Sequence, residues 1–258
     1  MVFAVCFLAS VAGAICGIGG GVIIKPALDA LGIMSVSAVS FLSGCTVLAM
    51  TSCSVLKSRL SGQSQIERKT GFPLALGAAF GGMVGKWMFS ALSALSSNKD
   101  RVGAVQAVCL FAVTLGSLIF TVYKSRIRTY QVTSPAVCVF IGIILGVLSS
   151  FLGIGGGPIN LVVLFFFFSM TARRAAENSL YIIFFSQITG LLTALTAGSI
   201  PDFPAFLLAF MVAGGIGGGI AGRMLSKRLS DDLMDRLFIS LTVIILFVNV
   251  YNICRFTV

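Results

Sequence analysis

Two stretches decide how this chain folds: GIGGGVIIKPALDALG at residues 17–32 and GIGGGPINLVVL at residues 153–164. The motif Gly17-Ile18-Gly19-Gly20-Gly21 returns as Gly153-Ile154-Gly155-Gly156-Gly157, 136 positions later. Each copy lies inside a long apolar run, at 1–34 and at 134–170. Consecutive glycines break a helix, because glycine has low helix propensity and readily takes positive φ.

Other landmarks recur outward from the motif. Met34-Ser35 matches Met170-Thr171, and Ser43 matches Ser179, at the same offset. Gly77, Gly81 and Gly85 form GxxxGxxxG before Lys86; Gly214, Gly218 and Gly222 repeat it before Arg223, 137 positions on. Asp100-Arg101 returns as Asp235-Arg236, 135 positions on. Four landmarks in one order predict a duplicated unit. Its first repeat is 1–123, the basic linker 124–133 and the second repeat 134–258.

Composition sets the solvent. Of 258 residues, 57% are hydrophobic and 10% charged, with mean hydropathy +1.06. Soluble domains carry about 25% charged residues, so a soluble enzyme, a disordered chain and a nucleic-acid reader are excluded. An all-α integral membrane protein is expected. Its apolar segments are 1–34, 38–56, 71–95, 102–123, 134–170, 178–198, 203–224 and 234–254. The loops are too short for a soluble domain, so function lies inside the bilayer. The net charge of +10 sits in short loops beside apolar segments, which fits membrane anchoring and no nucleic-acid partner. The seven cysteines all lie in apolar segments without a CxxC and read as small buried residues. The N-terminus lacks a basic start and reads as mature sequence.

Loop charge decides how many segments cross. With eight single crossings, Lys and Arg outside the segments divide eight to eight between the two sides, against the cytoplasmic excess that insertion favours. If segment 134–170 enters and leaves on one face, the split becomes 13 to 3. By repeat logic segment 1–34 does the same. Each half is then a re-entrant or discontinuous glycine-broken element plus three spanning helices, and an odd number of crossings makes the repeats inverted. The loops 57–70, 124–133, 170–177 and 223–236 are expected on the cytoplasmic side of a plasma (inner) membrane.

Non-helical backbone at membrane depth is tolerated only where it is buried in protein or lines a wet cavity. A helix starting after such a break exposes unpaired N–H groups with a partial positive charge, which suits an oxyanion. Gly17, Gly19, Gly20, Gly21, Gly153, Gly155, Gly156 and Gly157 are therefore candidate binding positions; tight helix packing or a hinge is the plainer alternative. A dinucleotide fingerprint is excluded, because Val22 and Pro158 stand where it needs glycine. Lys25 either neutralises an anion or pairs with Asp29; its place in the second half is Leu161, beside Asn160. Ser43, Asn178 and Ser179 either face the breaks or bond between helices. The glycine runs read as close helix packing. With no His, no metal-ligand cluster and no nucleophile motif, neither an enzyme nor a cofactor is expected.

Two GIGGG copies in a chain of this length with eight apolar segments resemble the TauE/SafE sulfite-exporter family. Pro26 and Leu28 after the first copy fit the family pattern, as does Glu177-Asn178-Ser179-Leu180. Pro158 and Lys25 depart from it. The resemblance implies transport of sulfur-containing anions such as sulfite or sulfonates. The expected function is secondary transport of a small anion across the lipid bilayer, with a proton or cation as a coupling partner; an anion channel and an accessory subunit of a membrane complex remain alternatives. The oligomeric state is not legible.

Overall fold

The computed structural model describes residues 1–60, 65–95 and 99–257. Within them the chain forms ten α-helices, a 3-10 turn at Lys124–Arg126 and no strand. Both glycine motifs break helices as their composition demands. Helix α1 (Val2–Cys16) ends at Gly17, whose φ of 74° is left-handed, and α2 (Gly21–Leu31) follows. Helix α6 (Pro135–Leu152) ends the same way at Gly153, φ 66°, before α7 (Pro158–Phe168).

The six other helices are α3 (Val36–Leu60), α4 (Arg68–Leu95), α5 (Lys99–Tyr123), α8 (Ala172–Thr196), α9 (Ala205–Ser226) and α10 (Asp231–Thr257). By length and composition, six helices suffice to cross a membrane: α3, α5, α6, α8, α9 and α10. Helix α4 has 28 residues and is diluted by glycine. At eleven residues each, α2 and α7 rise only about 16 Å, roughly half the hydrocarbon thickness.

Each break folds the chain back on itself. Cys6 and Ala9 of α1 share a buried cluster with Ile24 and Leu28 of α2, and Val2 and Met34 pack on that cluster. In the second unit the N–H groups of Tyr130 and Val132, just ahead of α6, donate to the carbonyls of Phe166 and Phe167 at 2.7 and 2.9 Å. Ser169, left-handed at φ 52° after α7, donates its hydroxyl to Thr129 and to the Tyr130 carbonyl. Both ends of this hairpin therefore lie at one level.

The GxxxGxxxG runs hold these hairpins. A Cβ built on Gly77, Gly81 or Gly85 of α4 would lie 2.1, 2.2 or 2.4 Å from the carbonyl oxygen of Val139, Ile143 or Val147 on α6. On Gly214, Gly218 or Gly222 of α9 it would lie 3.0, 2.3 or 2.4 Å from that of Phe3, Phe7 or Val11 on α1. The two sets of partners are 136 positions apart. In lipid, where apolar association gains little from the hydrophobic effect, this backbone proximity is what binds helices.

Helices α3 and α8 pass between the hairpins in opposite directions. Phe41, early in α3, stacks on Phe203, beyond the end of α8. Ser58 and Arg59, late in α3, hydrogen-bond Glu177 and Tyr181, early in α8. Polar contacts also gather the basic segments at one end. Arg174 pairs with Glu67, Arg173 with the Leu229 carbonyl and Asp231, and Lys124 with Asp235.

Candidate functional site: two facing helix breaks

The breaks meet backbone to backbone in the interior. A Cβ on Gly21 would stand 2.1 Å from the Ile154 carbonyl oxygen, and one on Gly19 would stand 3.3 Å from that of Gly155. Ile18, Val22 and Ile154 are wholly buried around the contact. The neighbours are reciprocal. Gly17 packs on Ala176 of α8 and Gly153 on Ser40 of α3; Gly155 packs on Val47 and its mate Gly19 on Ile183. Ser40 and Ala176, like Val47 and Ile183, are 136 positions apart. An interface in which i meets j and the mate of i meets the mate of j has two-fold character.

The electrostatics follow from the helix starts. Neither Gly20, ahead of α2, nor Gly157, ahead of α7, provides a side-chain cap. The first-turn N–H groups of both helices thus keep their partial positive charge. Pro158 removes one donor from α7. The Ile154 carbonyl lies against Gly21, the first residue of α2, so a backbone oxygen of one break sits at the positive end of the other. Here the two backbones touch, and no solute fits between Gly21 and Ile154.

Around this contact, buried polar side chains lack partners. The hydroxyls of Ser10, Ser40, Ser43 and Ser149 and the Oδ1 of Asn160 make no hydrogen bond. Ser10 Oγ would stand 3.0 Å from a Cβ on Gly20, and Ser40 Oγ 2.8 Å from one on Gly153. The Ser149 carbonyl accepts from the Ile154 N–H. Ser43 lies one turn from Ser40 and Val47 on α3. Ser179 differs from its repeat-mate Ser43: it donates to the Gly17 carbonyl at 2.6 Å and accepts from Asn160 Nδ2 at 3.4 Å. Buried polar groups are normally paired, so these unpaired groups make the breaks the candidate site.

Gly17, Gly19, Gly21, Gly153, Gly155 and Gly156 are thus brought together with Asn160 and Ser179, while Gly20 faces Ser10. A Cβ on Gly157 would meet Ile154 and Val22, at the same contact. Lys25 takes the pairing alternative: its Nζ is 2.6 Å from Asp29 Oδ2, with both residues buried and Asp29 Oδ1 unpaired. From α10, Asn252 donates to the Pro26 carbonyl, and Arg255 donates to those of Asp29 and Ala30. Asn178 turns elsewhere, donating to the carbonyls of Gln65 and Arg174. Two intramembrane amides support the site. Gln106 of α5 donates to the Phe151 carbonyl just before the second break, and Gln187 Oε1 would stand 3.0 Å from a Cβ on Gly44.

Ser10, Ser40 and Ser149 had no distinguishing mark in the sequence. Serine in an apolar helix usually bonds its own preceding turn; only their placement a few residues from a motif glycine or from Ser43 could have singled them out. Among the described residues no group of three metal-ligating side chains occurs.

Comparison with known proteins accords with this architecture. The family model described as sulfite exporter TauE/SafE matches residues 2–248. The chain is similar to the probable membrane transporter protein YunE of Bacillus subtilis (strain 168), with 24% identity over 213 residues, covering 75% of this chain and 77% of that protein. No solved structure matches. A match spanning both breaks, both hairpins and the helices between them shows that the chain belongs to the sulfite exporter TauE/SafE family and is a multi-pass membrane transporter.

Proposed function

We propose that the chain is a secondary transporter of small anions, specifically sulfur oxyanions or organic sulfonates, that alternates access around the two facing breaks. The observation that carries this reading is the set of unpaired buried polar groups at the breaks, Ser10, Ser40, Ser43, Ser149 and Asn160 Oδ1, beside two uncapped helix starts. Hydroxyl donors and N–H dipoles suit a tetrahedral oxyanion. The contacting backbones then represent a closed state, in which the Ile154 carbonyl takes the place of the solute at α2. Opening requires the hairpins to part. Membership of the sulfite-exporter family makes sulfite the first substrate to test.

The same reading makes the halves 1–123 and 134–258 inverted repeats, with one hairpin entering from each membrane face. Reciprocal contacts at an offset of 136 and the opposed directions of α3 and α8 support it. An inverted pair relates the two access states by exchanging the conformations of its halves.

The test uses purified protein in vesicles, with counterflow of labelled sulfite and sulfonates. Saturable counterflow is expected. Ser43→Ala removes a hydroxyl that has no partner, so unfolding stability should hold or rise slightly, whereas counterflow should fall at least tenfold. Full counterflow in Ser43→Ala and in Asn160→Leu would show that these groups only fill space.

A further inference from the structure

Beside the first break lies a small pocket, on the side where α8 begins. Its lining brings together Arg173 and Glu177 of α8, Arg223 of α9, Lys227 just beyond it, and Ser54 of α3. Ala176, which also lines it, is the residue against which Gly17 packs. One wall is therefore shared with the first break.

Arg173, which also pairs with Asp231, Arg223 and Lys227 surround a single lining carboxylate, Glu177. That carboxylate is already engaged, accepting from Ser58 Oγ and from the Gln65 N–H, each at 3.1 Å. Arg223 is held in place by donating to the Ser54 carbonyl at 2.9 Å, and Arg173 by donating to that of Leu229 at 2.6 Å. The Ser54 hydroxyl, 2% exposed, has no partner. Fixed guanidinium groups around an unpaired buried hydroxyl are the chemistry that recognises an oxyanion.

The arrangement is one-sided. The repeat-mates of Arg173 and Glu177 are Ser37 and Phe41, and that of Lys227 is Ser90; only Arg223 has a cationic mate, Lys86. The groove between α3 and α8 beside Phe41 is lined by Cys45, Leu48, Ile188, Leu192 and similar apolar residues.

We propose that this basic pocket is a second binding site for a small oxyanion, which collects the anion at that end and delivers it along the Ala176 wall to the breaks. The delivery step rests on the anion-transport reading; the binding site does not.

The test uses the full chain with its cysteines replaced and with Ser226→Cys, a half-buried position in the lining. Modification by an anionic sulfonatoethyl methanethiosulfonate is compared with that by a cationic trimethylammonium analogue. A basic pocket concentrates the anionic reagent, so a rate ratio about tenfold above that of a small thiol in solution is expected at low salt, shrinking as salt rises. Millimolar sodium sulfate should slow the reaction. Arg223→Gln should abolish both the ratio and the protection, and Arg223→Lys should retain the ratio. Ser43→Ala at the breaks should leave both intact even where counterflow is lost. A ratio equal to that of the solution thiol, or sulfate protection that survives Arg223→Gln, overturns the site. Loss of protection in Ser43→Ala overturns its independence from the breaks.

Discussion

Gly21 shows how strictly single positions are constrained. Its would-be Cβ falls 2.1 Å from the Ile154 carbonyl oxygen, a backbone atom that cannot rotate away. We expect Gly21→Ala to lower unfolding stability in detergent by about 1–3 kcal/mol through overpacking and to abolish transport. The control is Gly116 on α5, where a Cβ meets nothing within 4 Å; Gly116→Ala should be neutral or stabilising by up to about 1 kcal/mol from helix propensity. The Lys25–Asp29 pair makes a second case. Removing one partner leaves a buried charge, so Lys25→Met or Asp29→Asn alone should destabilise by about 3–5 kcal/mol, and the double substitution should recover most of that. If transport returns with stability in the double variant, the pair is structural. If stability returns and transport does not, the pair serves the transported or coupling ion.

Among the elements, the glycine runs and the hairpins act as one unit. Helix α9 offers a contrast within one turn. A Cβ on Gly218 would lie 2.3 Å from the Phe7 carbonyl, whereas on Gly217 it would lie 3.4 Å from the flexible ring of Phe7. Gly218→Ala should therefore lower the melting temperature measurably, and Gly217→Ala should leave it nearly unchanged. Equal effects would mean that the close approach of α9 to α1 does not hold the hairpin. This packing was legible in the GxxxGxxxG spacing. That each run grips the hairpin arm of the other half was not, because spacing names a face and not its partner.

For the whole molecule, the basic segments share one end, tied by Lys124–Asp235, Arg173–Asp231 and Arg174–Glu67. Loop charge in the sequence predicts this gathering once segment 134–170 folds back. Its membrane sidedness is open to cysteine labelling. Reagents confined to one side should reach Arg126→Cys and Arg228→Cys from the same face, taken as cytoplasmic, and Ser199→Cys from the opposite one. Opposite faces for positions 126 and 228 would refute the inverted-repeat reading.

Composition and local backbone preference determined the solvent, the helices and the two break points, because apolar length and glycine conformation act within a few residues. They also exposed the repeat, which needs only comparison along the chain. Only tertiary packing decided that the breaks touch, that Asn178 turns to Gln65 while Ser179 reaches Gly17, and that Lys25 is spent on Asp29. Only it collected five unpaired polar groups around the contact. Apart from the Lys25–Asp29 pair, one turn apart on α2, these contacts join residues far apart in sequence, where the choice of partner depends on how whole helices settle against one another.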